Sequence, residues 1–316
     1  MIVTVTVNPA LDKTARVDVM RANALNRLED VVVDCGGKGV NVSAMIHALG
    51  GNSIATGFAG GGAGEELLER IEAKGLRSDF VRIKNPTRTN LKVIDREGRL
   101  TELNEPGPEV CAEEWRELER RLFRCAGKNA VFVISGSLCR GVASSAYRNL
   151  CGALRAKGAR VFLDADGEAL KAALEAEPAA TPDYIKPNRY ELLTFFGIND
   201  DETVTEELLL NLAGKLLERG PALCALSMGA EGALFVNREG AWRASGMDVP
   251  VRSTVGAGDS MVGALAYGLE QGLDAEACFA LSIAASAGAC TTAGTNPPEP
   301  VLVDVLLKHA QLEKIR

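Results

Sequence analysis

Histidine is nearly absent. The 316 residues contain two, His47 and His309. A Ser-His-Asp hydrolase or a multi-histidine metal centre would have to be built on one of them. His47 lies in an apolar helical stretch and His309 near the C-terminal end, so both read as structural or surface residues. Paired cysteines are missing too. Eight cysteines occur, none in a C-x-x-C arrangement and several in apolar segments. That pattern indicates neither a disulfide framework nor a zinc site, and a reducing cytoplasmic compartment is expected. No apolar run approaches the ~18 residues that span a bilayer. The opening MIVTVTVNPALDKT has neither the basic nor the cleavable apolar part of a signal peptide. Positive charge is also short: 35 basic against 42 acidic residues give a net charge of −7. Nucleic acid and anionic membranes are therefore not expected as partners. Any anionic ligand would need basic groups gathered locally. Linkers rich in Pro, Gly or Ser, low-complexity tracts and fixed-period repeats are all lacking.

What is present is globular: 47% hydrophobic and 24% charged residues. The length suits one large α/β domain with an appendage. Ile2 to Val7 is a charge-free, β-branched run, as a central strand requires. Thr14 to Val19 and Leu28 to Val33 read as half-exposed strands. Leu91 to Ile94 and Leu100 to Leu103 flank the turn Asp95-Arg96-Glu97-Gly98 and read as a hairpin joining them in one accessory sheet. Val40 to Leu49 and Glu65 to Lys74 read as helices around the strand Ser53 to Ala59. From Val131 the rhythm is strand then helix: Val131–Ile134, Val161–Leu163, Tyr184–Ile185 and Leu223–Ser227 are the strands. Such alternation predicts a parallel sheet covered on both faces, with ligands at the C-terminal strand ends.

The sharpest signal is Ser253-Thr254-Val255-Gly256-Ala257-Gly258-Asp259-Ser260, followed by a helix from Met261 to Leu269. Glycines at a helix start let the backbone approach a ligand, and the free N–H groups and helix dipole favour phosphate oxygens. A carboxylate in that first turn can accept the proton of an attacking hydroxyl. The plainer alternative is an Asp that only caps the helix. A Walker A sequence occurs nowhere, and Met261 breaks any G-x-G-x-x-G at 256–261.

Further pieces stand in a fixed order. They are Asn8-Pro9-Ala10-Leu11-Asp12, Gly36-Gly37-Lys38-Gly39-Val40-Asn41, Gly57-Phe58-Ala59-Gly60-Gly61 with Gly64, and Thr87-Arg88. After them come Asn104-Glu105-Pro106-Gly107-Pro108, Ser135-Gly136-Ser137-Leu138, Lys186-Pro187-Asn188 with Glu191, and Ser227-Met228-Gly229 with Gly232. Each is weak alone. In this order, over nearly the whole chain, they resemble the ribokinase-like carbohydrate kinases, the PfkB group. The resemblance implies a ribokinase-like three-layer α/β/α sandwich over 1–316, with a mostly parallel central sheet and a small β-sheet lid from about 12–34 and 88–105. It also implies ATP and Mg²⁺ as cofactors and a sugar phosphate as acceptor.

By the same resemblance Asp259 is the catalytic base, and Gly256, Ala257 and Gly258 form the anion hole. Asp12 would bind sugar hydroxyls, the alternative being an Asx-turn after Pro9. Gly36, Gly37 and Asn41 would contact the sugar, or simply start a helix. Lys38, Arg88 and Arg27 would reach the phosphate already on the substrate, with solvated surface charge as the alternative for Arg27 and for Lys92. Asn90 would bind a sugar hydroxyl. Lys186, Asn188 and Glu191 would organise Mg²⁺ and phosphates, Glu191 through water, although Asn188 and Glu191 also fit a capping box. Ser227, Gly229, Gly232 and Thr254 would hold the nucleotide, or Ser227 to Gly232 would merely turn a hairpin. The small-residue stretch Ala284 to Gly294 would lie close to adenine.

Cys35, Asp166 and Cys139-Arg140 depart from the family pattern without removing a catalytic group. Within the family, the Thr87-Arg88, Asn104–Pro108 and Ser253–Asp259 segments are most similar to kinases of fructose 1-phosphate. Kinases of tagatose 6-phosphate or fructose 6-phosphate are the alternatives, and a non-catalytic sugar-phosphate sensor is the alternative of another class. The lid is expected to pair two copies into a homodimer.

Overall fold

The computed structural model describes residues 1–201 and 203–316. Strand β1 (Ile2–Thr6) is buried along its whole length. The chain then forms β2 (Ala10–Val17), β3 (Glu29–Gly36), helix α1 (Lys38–Ala48), β4 (Ser53–Gly60) and α2 (Gly61–Ala73). Short strands β5 (Arg77–Ser78) and β6 (Val81–Ile83) precede the hairpin of β7 (Arg88–Asp95) and β8 (Leu100–Asn104). Helix α3 (Ala112–Cys125) opens the strand–helix part: β9 (Val131–Ser135), α4 (Ala146–Ala156), β10 (Arg160–Asp164) and α5 (Gly167–Leu174). It continues through β11 (Tyr184–Ile185), α6 (Arg189–Phe195), α7 (Glu206–Leu217) and β12 (Leu223–Ser227). The antiparallel β13 (Gly232–Asn237) and β14 (Gly240–Ser245) follow. Long helices α8 (Ala257–Gln271) and α9 (Ala275–Cys290), then α10 (Pro300–Leu307) and β15 (Leu312–Lys314), end the chain.

The large sheet runs β15-β14-β13-β12-β11-β10-β9-β1-β4-β5, with β6 also paired to β4. From β12 through β5 every pairing is parallel, and β13 to β15 are antiparallel. Strand residues alternate between two cores. Val3, Val5, Phe132 and Ile134 pack with Leu118, Tyr147, Leu150, Leu170 and Leu209, from α3, α4, α5 and α7. Ile2, Val131 and Val133 pack with Val42, Met261, Leu265 and Phe279, from α1, α8 and α9. Helices on both faces of a central sheet give the three layers of the ribokinase-like fold. Among the described residues no helix is long and apolar enough to cross a membrane.

A second sheet of four strands, order β3-β2-β7-β8, follows directly from the C-terminal end of β1. Its hairpin β7–β8 lies where the sequence pattern places it. The pattern puts β2 at Thr14–Val19, but the strand starts at Ala10 and ends at Val17. The reason is burial: Ala10 and Leu11 are in the core, and β2 pairs in register with β7 from Ala10↔Arg88 onward. Asp12 is therefore a strand residue opposite Asn90 and not an Asx-turn. Helix α1 likewise begins two residues before the expected Val40, at Lys38. Strands β14 and β15 were not legible in advance, since β15 is a three-residue edge.

Candidate active site

Parallel strands bring their C-terminal ends to one edge. There Thr6, Ser135, Asp164 and Ser227 end β1, β9, β10 and β12, and Lys186 follows β11. Helix α8 starts at the same edge. Its N-cap is Gly256, held at φ 85 in the left-handed region that glycine accepts without strain. No side chain caps this helix; the Ala257 N–H makes only a long 3.4 Å bond to the Thr254 carbonyl, and helix geometry leaves the next N–H groups without an intrahelical partner, open to an anion. Asp259 is not the cap. Its carboxylate is buried at 7% exposure and accepts a 2.7 Å hydrogen bond at Oδ2 from Asn41 Nδ2. Burial, and next the charge of Asp164, push its carboxyl up to about 6, against the Asn41 bond and the two nearby lysines. A carboxylate poised there accepts a proton readily near neutral pH.

Two lysines flank it. Lys38 Nζ lies 3.2 Å and Lys186 Nζ 3.5 Å from the same oxygen, Asp164 Oδ1. Lys186 also lies against the glycine loop: a Cβ on Gly258 would come within 3.2 Å of its ammonium. Burial works against the charge of Asp164, but Lys186 and Lys38 hold it ionised below the usual carboxylate range. Burial likewise opposes the charge on Lys38, yet Asp164, Asp259 and Glu191 raise its pKa. Asp164 is the group that sequence reasoning missed. Its signal was an acid directly after the apolar strand Val161–Leu163, noticed only for its neighbour Asp166.

The acceptor end is built by the small sheet. Asn90 Nδ2 donates to Asp12 Oδ1 at 2.9 Å, and Lys92 Nζ lies 3.5 Å from Asp12 Oδ2. Lys92 is therefore not merely a solvated charge. Gly36 sits under this carboxylate, where a Cβ would fall 2.6 Å from Asp12 Cγ. Gly37 caps α1. Arg88 donates to the carbonyls of Glu105 at 3.2 Å and Asn8 at 3.1 Å, leaving its buried Nε without a partner. Burial lowers its pKa, while Asp12, Cys139 and Glu105 oppose this. Buried polar atoms without partners also include Asn8 Oδ1, Asn90 Oδ1 and Asp164 Oδ2. Unpaired buried donors and acceptors are costly, so their gathering at one place marks a site for a polar ligand. Arg27 is not gathered in: it is exposed, on the β2–β3 connection, and makes no ion pair or side-chain hydrogen bond among the described residues.

The other side of the glycine loop opens into a cavity of 530 Å³ lined by Asn188, Ser227, Gly229, Gly232, Thr254 and Gly258, among others. Ala257 and, from α9, Ser286, Ala287 and Cys290 also line it. Asn188 and Glu191 form the capping box, with N–H···O distances of 2.8 Å in both directions. Ser227 to Gly232 does turn a hairpin, β12–β13, while still facing this cavity. A smaller apolar pocket of 310 Å³ at the other end of α8, between Phe162, Leu269 and Phe279, gathers no comparable set of charged groups.

A three-layer α/β core whose glycine-started helix faces a buried carboxylate, with polar clusters on either side, defines a phosphotransferase of the ribokinase-like class. Residues 6–302 match the pfkB family carbohydrate kinase profile. The chain belongs to that family, whose members take ATP as phosphoryl donor. A 1-phosphofructokinase of Rhodobacter capsulatus is 36% identical over 99% of this chain and 98% of its own length. That of Borreliella burgdorferi is 32% identical over 100% and 99%. Phosphofructokinase-2 of Escherichia coli, solved with potassium, superimposes at a TM-score of 0.91 with 30% identity over 98% of both chains. Its fructose 6-phosphate complex gives 0.88 and 29%.

Proposed function

We propose that the protein phosphorylates fructose 1-phosphate to fructose 1,6-bisphosphate with ATP, in the cytoplasm. One observation carries the reading. Asp259, raised to about 6, is buried in the first turn of α8, held by Asn41 of α1 and beside Asp164, Lys38 and Lys186. In that position its carboxylate takes the proton of the acceptor hydroxyl as the hydroxyl attacks the γ-phosphorus. The N–H groups of Gly256, Ala257 and Gly258, with Lys186 beside them, hold the charge that develops on the phosphoryl oxygens. Asp12, Asn90, Gly36, Gly37 and Asn41 orient the sugar. Arg88 binds the phosphate it already carries, since a guanidinium suits that dianion, whereas Lys38, tied to Asp164 beside Lys186, adds to the field at the transferred phosphoryl group. The cavity lined by Asn188, Ser227, Gly229, Gly232 and Thr254 takes the nucleotide, with adenine beside the small residues of α9.

Among the described residues no group of three or more His, Cys, Asp or Glu is placed to hold a metal ion. That suits Mg²⁺, which takes few protein ligands and keeps its waters. Glu191 and the unpartnered Asp164 Oδ2 are the groups that would hold it, and the ion would neutralise phosphate charge. Leu25, Leu28, Val31, Val32, Leu100 and Leu103 are exposed on the small sheet and its β2–β3 connection. Apolar side chains on strands of this kind support pairing of two copies through the lid.

Coupled ADP-release assays over fructose 1-phosphate, fructose 6-phosphate, tagatose 6-phosphate and free sugars test the proposal. The highest kcat/KM is expected with fructose 1-phosphate. A preference for fructose 6-phosphate, the ligand of the Escherichia coli neighbour, would replace it with the second reading.

A further inference from the structure

Helix α2 ends at Lys74, whose side chain touches two parts of the molecule that are remote in sequence. Its ammonium lies 2.8 Å from Asp34 Oδ1 on β3 and donates to Asn296 Oδ1 at 3.2 Å. On the β3 side the hold is doubled: Arg70, one turn earlier on α2, donates to the Val33 carbonyl at 2.7 Å. Asp34 Oδ1 also accepts from the Cys35 N–H at 2.8 Å. Its carboxylate is thus fixed at the step into Gly36, which lies beneath Asp12.

On the other side Asn296 closes a turn. Its Nδ2 donates to the Ala293 carbonyl at 3.1 Å, and Thr292 Oγ1 donates to its carbonyl at 2.5 Å. The backbone of Gly256 lies on that turn, where a Cβ would come 3.3 Å from Thr295 Cα. Just before the turn, the Cys290 carbonyl accepts from the N–H groups of Arg252 and Ser253, which lead into the glycine loop. One ammonium therefore bridges the segment under the acceptor sugar and the segment under the anion hole.

The geometry points to Lys74 as a positioning residue: a strut that sets the acceptor end of the small sheet against the glycine start of α8. The role in turnover rests on the kinase reading above. Lys74 is not among the residues lining the nucleotide cavity, so it acts through Asp34 and Asn296. Lys74 and Asp34 are each 28% exposed, and a pair so placed contributes little to global stability. Its effect lies in alignment, because a shift of about 1 Å between attacking hydroxyl and phosphoryl group can cost 10²-fold in rate. A lysine suits the task because its four-carbon stem reaches both acceptors with one rotatable ammonium.

Lys74→Met keeps the stem and loses both contacts, Lys74→Arg retains a donor, and Asp34→Asn weakens one side. Hydrogen exchange of the free protein is read first, then kcat and KM for each substrate. Lys74→Met is expected to lose protection both in β3 and at Arg252 and Ser253, whose N–H groups bond to the Cys290 carbonyl just before the Asn296 turn. It should lower kcat about tenfold while the KM for ATP holds. Lys74→Arg should recover most of the rate, and Asp34→Asn should lose protection in the same two segments. Exchange that rises only in β3 and α2, with Arg252 and Ser253 unchanged, overturns the strut. So does an unchanged kcat in an active enzyme, or a lowered melting temperature as the only effect. Were the wild-type protein inactive on every sugar phosphate, the kinase reading would fall, and the exchange pattern alone would decide the strut.

Discussion

Asp164 and Asp12 both hold lysines, in different settings. Asp164 ends a central strand at 1% side-chain exposure and shares one oxygen between Lys38 and Lys186. Asp12 lies on the small sheet at 17%, with Lys92 and Asn90 as its partners. In the first cluster Asp164 and Lys186 are dry, at 1% and 7% exposure, and Lys38 reaches in from the surface at 34%. A buried ion set is costly to break once one partner is lost, because the remaining charge has no water to turn to. The second is half-buried throughout, at 16% for Lys92 and 17% for Asp12, and each cluster keeps an unpartnered buried oxygen, Asp164 Oδ2 in the first and Asn90 Oδ1 in the second. The contrast separates labour: the sheet edge supplies a preorganised field for phosphoryl transfer, and the small sheet supplies selection of what receives the phosphate.

Breaking the first cluster should have the larger effect. Asp259→Asn is expected to fold with an unchanged melting temperature and to lose roughly 10²–10⁴-fold in kcat. Turnover near wild type would remove Asp259 from the chemistry. The pH profile of kcat/KM probes the same group without a mutation. The base must be deprotonated, and its carboxyl is raised to about 6. Activity should therefore be full above that value and fall about tenfold per unit as pH drops below it; a limb at the ordinary carboxylate pKa would contradict the burial argument. Arg88→Ala tests the second cluster. It should raise the KM for the sugar phosphate about tenfold, the scale of one charged hydrogen bond, with kcat and the KM for ATP little changed. The smallest effect on chemistry is expected from Leu103→Lys, an exposed side chain on the face of the small sheet away from Asp12 and Asn90. It should shift a dimer toward monomer in light scattering at micromolar concentration while the monomer still binds ATP.

Legibility in the sequence followed the same division. The large sheet announces itself through charge-free strands such as Ile2–Val7 and through the Gly256–Asp259 helix start, because local chain geometry and anion binding demand those residue types together. The glycine pairs at 36–37 and the Lys186–Glu191 segment were equally plain. Asp164 was not, since nothing local tells a strand-end acid that will be buried between two lysines from one that will be solvated. Lys74 and Asn296 meet across 222 positions, and no short-range pattern records such a meeting. The upstream start of β2 was hidden because Ala10 and Leu11 look like the tail of a turn until β7 is laid beside them.

The bond from Asn41 to Asp259 has a stereochemical side. With Oδ2 engaged by the amide, one lone-pair face of the carboxylate is taken before any sugar arrives. Oδ1 is left as the freer acceptor for the incoming proton, so the two oxygens of the carboxylate are no longer equivalent. In the proposed reaction the acceptor is the primary alcohol at C6, so the engaged oxygen selects the rotamer about C5–C6 from which that hydroxyl hands over its proton.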